Sequence, residues 1–183
     1  MSTIKYAGIG SRKTPEDVCR KMFAAGRAMA GLGFILRSGG AAGADESFEQ
    51  GVKSFCETNA VSPNVLREIY LPWKYFRKNE SPLFGSDKAA RLLAKKYHPR
   101  WDILSCSGRD FHARNCYQIL GRSLDDPVNF VLCWTPDGKV TGGTGQALRI
   151  AQDHGVPILN FATDKDDYIS DFIFETAERI NRA

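Results

Sequence analysis

Val128-Asn129-Phe130-Val131-Leu132-Cys133-Trp134, followed through Pro136-Asp137-Gly138 by Thr141-Gly142-Gly143-Thr144-Gly145, is the stretch on which the fold turns. Its apolar run from Val128 to Trp134 shows little polar alternation, the pattern of a strand buried on both faces in a parallel sheet. Pro136-Asp137-Gly138 turns the chain, and the glycine-rich segment opens a helix predicted to run through His154, where Gly155 ends it. Val156 to Phe161 is then a further strand. Strand, glycine loop, helix, strand is the repeating unit of an α/β fold.

The same unit recurs upstream. Thr3 to Ile9 is a short apolar strand ending in Gly8-Ile9-Gly10-Ser11-Arg12, and Thr14-Pro15-Glu16-Asp17 starts a helix predicted over Pro15 to Met29. Phe34-Ile35-Leu36 is a second strand that runs into Arg37-Ser38-Gly39-Gly40-Ala41-Ala42-Gly43-Ala44-Asp45, with a helix from Glu46 to Phe55. Leu66 to Leu71 is a third strand, Phe76 to Ser86 a loop, Asp87 to Tyr97 a basic amphipathic helix, Ser107 to Leu120 another helix, and Asp166 to Arg182 a last one. The alternation predicts an α/β, Rossmann-like parallel sheet with helices on both faces in one domain over residues 1–183, with 65–109 an unassigned insertion. Ligands of such sheets sit beyond the carboxyl ends of the strands, here after residues near 9, 36, 71 and 134.

Composition narrows the class. The chain has 183 residues, a net charge of +4 and five cysteines at irregular spacing without a CxxC pair, so neither a disulfide framework nor a zinc site is indicated. No run approaches the ~20 apolar residues that span a bilayer, and the expectation is a soluble, cytoplasmic protein without metal or cofactor. The slight basic excess mildly favours a phosphorylated or polyanionic partner, with Arg12, Arg37 and Arg114 expected near the phosphate loops.

Three loops are candidates for such a partner. Gly142, Gly143, Thr144 and Gly145 precede a helix whose first-turn amides and dipole favour an anion; the same residues would also suit a plain tight turn. Gly10, Ser11 and Arg12 offer the same geometry with a hydroxyl and a guanidinium, but Lys13 stands where the dinucleotide fingerprint has its next glycine. Ser38, Gly39 and Gly40 supply a third loop, after which Asp45 and Glu46 can bind a ribose hydroxyl, act as a base, or simply complement the helix dipole. On the helix over 107–120, His112 and Asn115 share a face while Arg114 is expected to turn away from it; Arg109 lies nearby. Trp73 and Tyr75, interleaved with Lys74, Arg77 and Lys78, are candidates for stacking on a base, or for a buried aromatic edge with a solvated basic rim.

Taken in order, Gly8-Ile9-Gly10-Ser11-Arg12, Ser38 to Asp45, Arg114-Asn115 and Gly142-Gly143-Thr144 with Ala147 and Ala151 resemble the DNA-processing protein A (DprA/Smf) family. The wider superfamily, SLOG, also contains the lonely-guy phosphoribohydrolases. The resemblance spans about residues 4 to 160. It implies a Rossmann-like domain that binds a nucleotide or the phosphates of single-stranded DNA, and analogy with the superfamily favours a homodimer. The phosphoribohydrolases carry a catalytic glutamate on the helix after the phosphate loop; here Thr144-Gly145-Gln146-Ala147-Leu148-Arg149 has no acid, leaving Glu46 or Asp45 as the carboxylate of an N-glycosidic hydrolase or transferase. A binder or sensor of a cyclic or NAD-derived nucleotide is a third reading.

Overall fold

The computed structural model describes residues 3–181, so Arg182 of the expected last helix lies outside the described residues. Five parallel strands, β1 (Lys5–Gly10), β2 (Ile35–Ser38), β3 (Arg67–Ile69), β4 (Phe130–Trp134) and β5 (Ile158–Asn160), form one sheet in the order β3-β2-β1-β4-β5. The chain builds outward from β1 to β3, then crosses back to place β4 on the other side of β1. That reversal opens a crevice between the carboxyl ends of β1 and β4, where Gly10 pairs with Trp134.

Alternation along the strands feeds two cores. Tyr6, Leu36, Phe130 and Leu132 face one side, under α1 (Glu16–Gly31), α2 (Ala44–Thr58) and α6 (Asp166–Asn181). Ala7, Ile9, Val131 and Cys133 face the other, under α3 (Lys88–Tyr97), α4 (Cys106–Leu120) and α5 (Gly142–Asp153). This is why the strands carry apolar residues at successive positions: both faces are covered.

Local chemistry sets the helix ends. The Asp87 carboxylate accepts from Ala90 N at 2.8 Å and the Ser105 hydroxyl accepts from Gly108 N at 3.1 Å, capping α3 and α4. Helix α2 starts two residues earlier than the periodicity of Phe48, Val52 and Phe55 indicates. Gly43, at φ +80°, brings Ala44 and Asp45 into its first turn. The 65–109 stretch contributes edge strand β3, a 3-10 turn at Phe76–Lys78 within the expected loop, and α3, so much of it belongs to the sheet and its cover. Among the described residues no helix is long and apolar enough to cross a membrane.

Candidate phosphate-binding site

The crevice between β1 and β4 is a cavity of about 460 Å³, within the usual range for small-ligand sites. Three chain segments wall it: the loop after β1, the start of α5, and one side of α4.

Gly10 ends β1 where no larger residue fits, since a Cβ there would lie 2.6 Å from the Ala44 Cβ and 2.9 Å from the Trp134 carbonyl. The chain then turns sharply, Ser11 N donates to Trp134 O at 3.1 Å, and Ser11, Arg12 and Lys13 enter the cavity wall. The Arg12 guanidinium lies 5.4 Å from the Phe111 ring centroid and forms no ion pair among the described residues. Its charge is therefore uncompensated at the mouth.

Across the crevice, α5 begins at Gly142 itself. Thr141 precedes it without a side-chain cap, so the first-turn amides lack both intrahelical acceptors and a capping oxygen. Gly142, Gly143 and Thr144 border the cavity, and nothing lies within 4 Å of a Cβ placed on either glycine. Gly145 packs instead against the Val140 backbone, 2.7 Å from such a Cβ. Asn115 Nδ2 donates to Gly143 O and to Gln146 Oε1, both at 3.1 Å, fixing α5 to α4.

Helix α4 brings Arg114, Gln118, Phe111, Asn115 and His112 to the cavity, a fan of about 160° around its axis. Arg114, expected to turn away, is thus part of the same wall as His112 and Asn115. It is 5 % exposed, and its protein partner is Asp45, whose Oδ2 accepts from Nη1 at 3.5 Å. Burial is the largest influence on both members, raising the Asp45 carboxyl and lowering the guanidinium, while their mutual attraction opposes each shift. The Arg114 Nε and the Gln118 Nε2 are buried donors without an acceptor. His112 is held neutral, its pKa lowered to about 4 by burial and by His98, whose ring is 4.2 Å away.

The second glycine loop serves the site from behind. The Ser38 hydroxyl donates to Gly8 O at 2.8 Å and Gly40 N to Glu49 Oε1 at 2.8 Å, so these groups are engaged within the protein. Gly39 leaves room for the Arg114 guanidinium. Of that loop only Ala41 and Asp45 reach the cavity. Glu46 instead pairs with Arg77 at 3.1 Å, half exposed and outside the cavity wall. Trp73 and Tyr75 also lie outside it: Trp73 packs edge-on against Phe76 and Phe111, each at 5.2 Å, and Tyr75 is largely exposed. Phe111 is the aromatic residue of the wall. Arg109 donates to Asp102 O at 3.1 Å, and Arg37 reaches the opposite edge of the sheet, bonded to Glu68 and Asp126 rather than near the glycine loops of the crevice, where it was expected. Among the described residues no group of three or more His, Cys, Asp or Glu is placed to hold a metal ion.

Glu49, missed from sequence, follows Asp45 by one helical turn. Burial first, then the nearby Asp45 carboxylate, push it up to about 7. A carboxyl whose pKa is raised on folding favours the folded state below its unfolded value near 4.5 and loses that contribution as pH climbs through about 7. Glu49→Gln is therefore expected to stabilise the protein at pH 8 by about 1–3 kcal/mol and to flatten the stability profile between pH 5 and 7, measured by thermal unfolding across pH. An unchanged profile would contradict the assignment.

No protein-family model and no curated protein matches the sequence. Two solved structures share its architecture. The Moco carrier protein of Chlamydomonas rheinhardtii is 13% identical with a TM-score of 0.51, the match covering 89% of this chain and 78% of that one. DNA processing protein A from Helicobacter pylori, described for its single-stranded DNA binding mode, is 16% identical with a TM-score of 0.59, covering 99% of this chain and 81% of that one. At such identities the likeness is one of fold, and the chain has the Rossmann-like fold that these two proteins share.

Proposed function

We propose that this protein binds the phosphate of a nucleotide or of single-stranded nucleic acid in the crevice between β1 and β4. The observation that carries the reading is the convergence of an uncapped α5 N-terminus, Ser11 and the unpaired Arg12 over a buried Arg114 whose Nε has no acceptor. Helix amides and two guanidiniums are the donors a phosphate takes, and a buried arginine left with idle donors is stabilised by an anion. The fold it shares with a single-stranded DNA binder supports the same reading.

The test is a titration of a 5′-phosphorylated oligodeoxynucleotide and of nucleoside monophosphates between 50 and 300 mM salt. Affinity is expected to fall steeply with salt, and Arg12→Ala to weaken binding about tenfold and reduce the salt slope by about 1. Salt-independent binding would sink the proposal. Release of free base in the same samples would assign N-glycosidic cleavage as well, with Asp45 as the carboxylate on the cavity wall.

A further inference from the structure

His112 stands on the cavity wall with one ring nitrogen unused. It is 8 % exposed, and among the described residues its Nε2 has no hydrogen-bond partner, while Nδ1 lies 3.5 Å from Gln146 Oε1. The surrounding amides fix which nitrogen carries the hydrogen. Asn115 Nδ2 donates to the Gly143 carbonyl, which can only accept, and gives its second hydrogen to Gln146 Oε1, both at 3.1 Å. Gln146 therefore turns an acceptor towards His112, and Nδ1 holds the hydrogen. The neutral ring is left with a lone pair on Nε2.

Gly143 and Gln146 both belong to the start of α5, so this chain of contacts sets His112 beside the helix terminus at which the phosphate is proposed to sit. A lone pair there repels an anion. A protonated ring would instead donate to it.

The groups around the ring explain why it is neutral in the free protein. His98, from the segment after α3, lies 4.2 Å away between ring centroids, and its own Nδ1 accepts from Arg100 N at 3.2 Å. Arg149 faces His112 from α5 and Arg114 from α4 itself, while Arg12 and Lys13 share the cavity wall from the loop after β1. The acid of that wall, Asp45 on α2, is engaged by Arg114. Burial first, then His98 and the arginines Arg114 and Arg149, lower the pKa of His112 to about 4. What the cavity lacks is negative charge. A phosphate dianion supplies it, and an opposite charge in contact favours the protonated imidazole.

We infer that His112 is a proton-coupled ligand of the bound phosphate: neutral in the free protein, it takes up one proton from solvent as the anion binds and donates Nε2–H to a phosphate oxygen. The inference rests on the phosphate reading above and adds to it a regulation by pH. Because the proton is held in the complex and not in the free protein, affinity strengthens as pH falls below neutral. The gain ends near pH 4, where the free protein is itself protonated.

The experiment titrates the 5′-phosphorylated oligodeoxynucleotide and the nucleoside monophosphates into the full chain and into His112→Gln between pH 5 and 8, by calorimetry in buffers of differing ionisation enthalpy. From pH 8 to pH 6 the affinity of the unaltered protein is expected to rise about three- to tenfold more than that of the variant, with net proton uptake at pH 6. The ligand's own second ionisation, at about pH 6, acts on both proteins alike, so the difference belongs to His112. A histidine that merely supports the fold would weaken binding equally at every pH and leave the two slopes the same, which would overturn the inference. Where the variant fails to fold, NMR of the imidazole in the unaltered protein gives the answer: its titration is expected to move upward by at least about one pH unit on saturation with ligand. An unmoved titration overturns the coupling and leaves the phosphate reading standing. No binding by any of these ligands overturns both.

Discussion

Gly39→Ala is expected to weaken ligand binding severely, although Gly39 itself never reaches the cavity. Its added Cβ would lie 1.4 Å from Arg114 Nη1 and 2.3 Å from Cζ, so the guanidinium has to leave its seat. Arg114 is boxed in: Gln118 lies beside it, Phe111 sits 6.0 Å from Cζ, and Asp45 holds Nη1. Displacement leaves Asp45 buried without its cation, and breaking a buried pair costs about 3–5 kcal/mol. Binding is expected to weaken about a hundredfold, since each hydrogen bond to a charged group contributes about 1.5–3 kcal/mol. Calorimetry and thermal unfolding check both parts. Gly143→Ala is the control for stability, because nothing lies within 4 Å of a Cβ there. If Gly39→Ala bound nucleotide within threefold of the unaltered protein, Arg114 would not be the anion's partner.

The pattern of the sequence reveals the sheet and the two glycine loops that border the crevice because those features are local. An apolar run between glycines dictates a buried strand and a turn, and Gly10 and Gly142 sit where the chain must fold sharply at the crevice. What stays hidden depends on which way a side chain leaves a packed element. Arg37 and Arg114 are both arginines in mixed surroundings, yet one runs to the amino edge of the sheet and the other to its carboxyl edge. Helix α4 is nearly buried all round from His112 to Leu120, so it carries little of the polar–apolar periodicity that would single out Phe111 and Gln118. Their spacing from Arg114, three residues before and four after, was the available signal. The aromatic and basic residues after β3 look alike whether they line a cavity or back it. Only the packing of Trp73 on Phe111 shows that they back it.

Arg37→Met is expected to lower stability by about 3 kcal/mol while leaving nucleotide affinity unchanged. Arg37 is 1 % exposed and donates to Glu68 Oε2 at 2.7 Å, to the Asp126 carbonyl at 2.5 Å and to Asp126 Oδ2 at 2.5 Å. It thereby ties β2 to the edge strand β3 and to the loop entering β4. A methionine fills much of the volume but leaves two carboxylates and a carbonyl without their donor. The loss falls at the low end of the range for a broken buried pair for two reasons. Lys5 still reaches Asp126 at 2.5 Å and Glu68 at 3.9 Å, and both acids are partly open to water. For a chain of this size ~3 kcal/mol corresponds to a fall in Tm of about 10 °C. Because the network lies at the amino edge of the sheet, the crevice at the carboxyl edge keeps its geometry. Unchanged Tm would show that the network contributes nothing. A lost affinity in a folded Arg37→Met protein would mean that the two edges are coupled through β2, with Ser38 and Gly39 carrying the effect to Arg114.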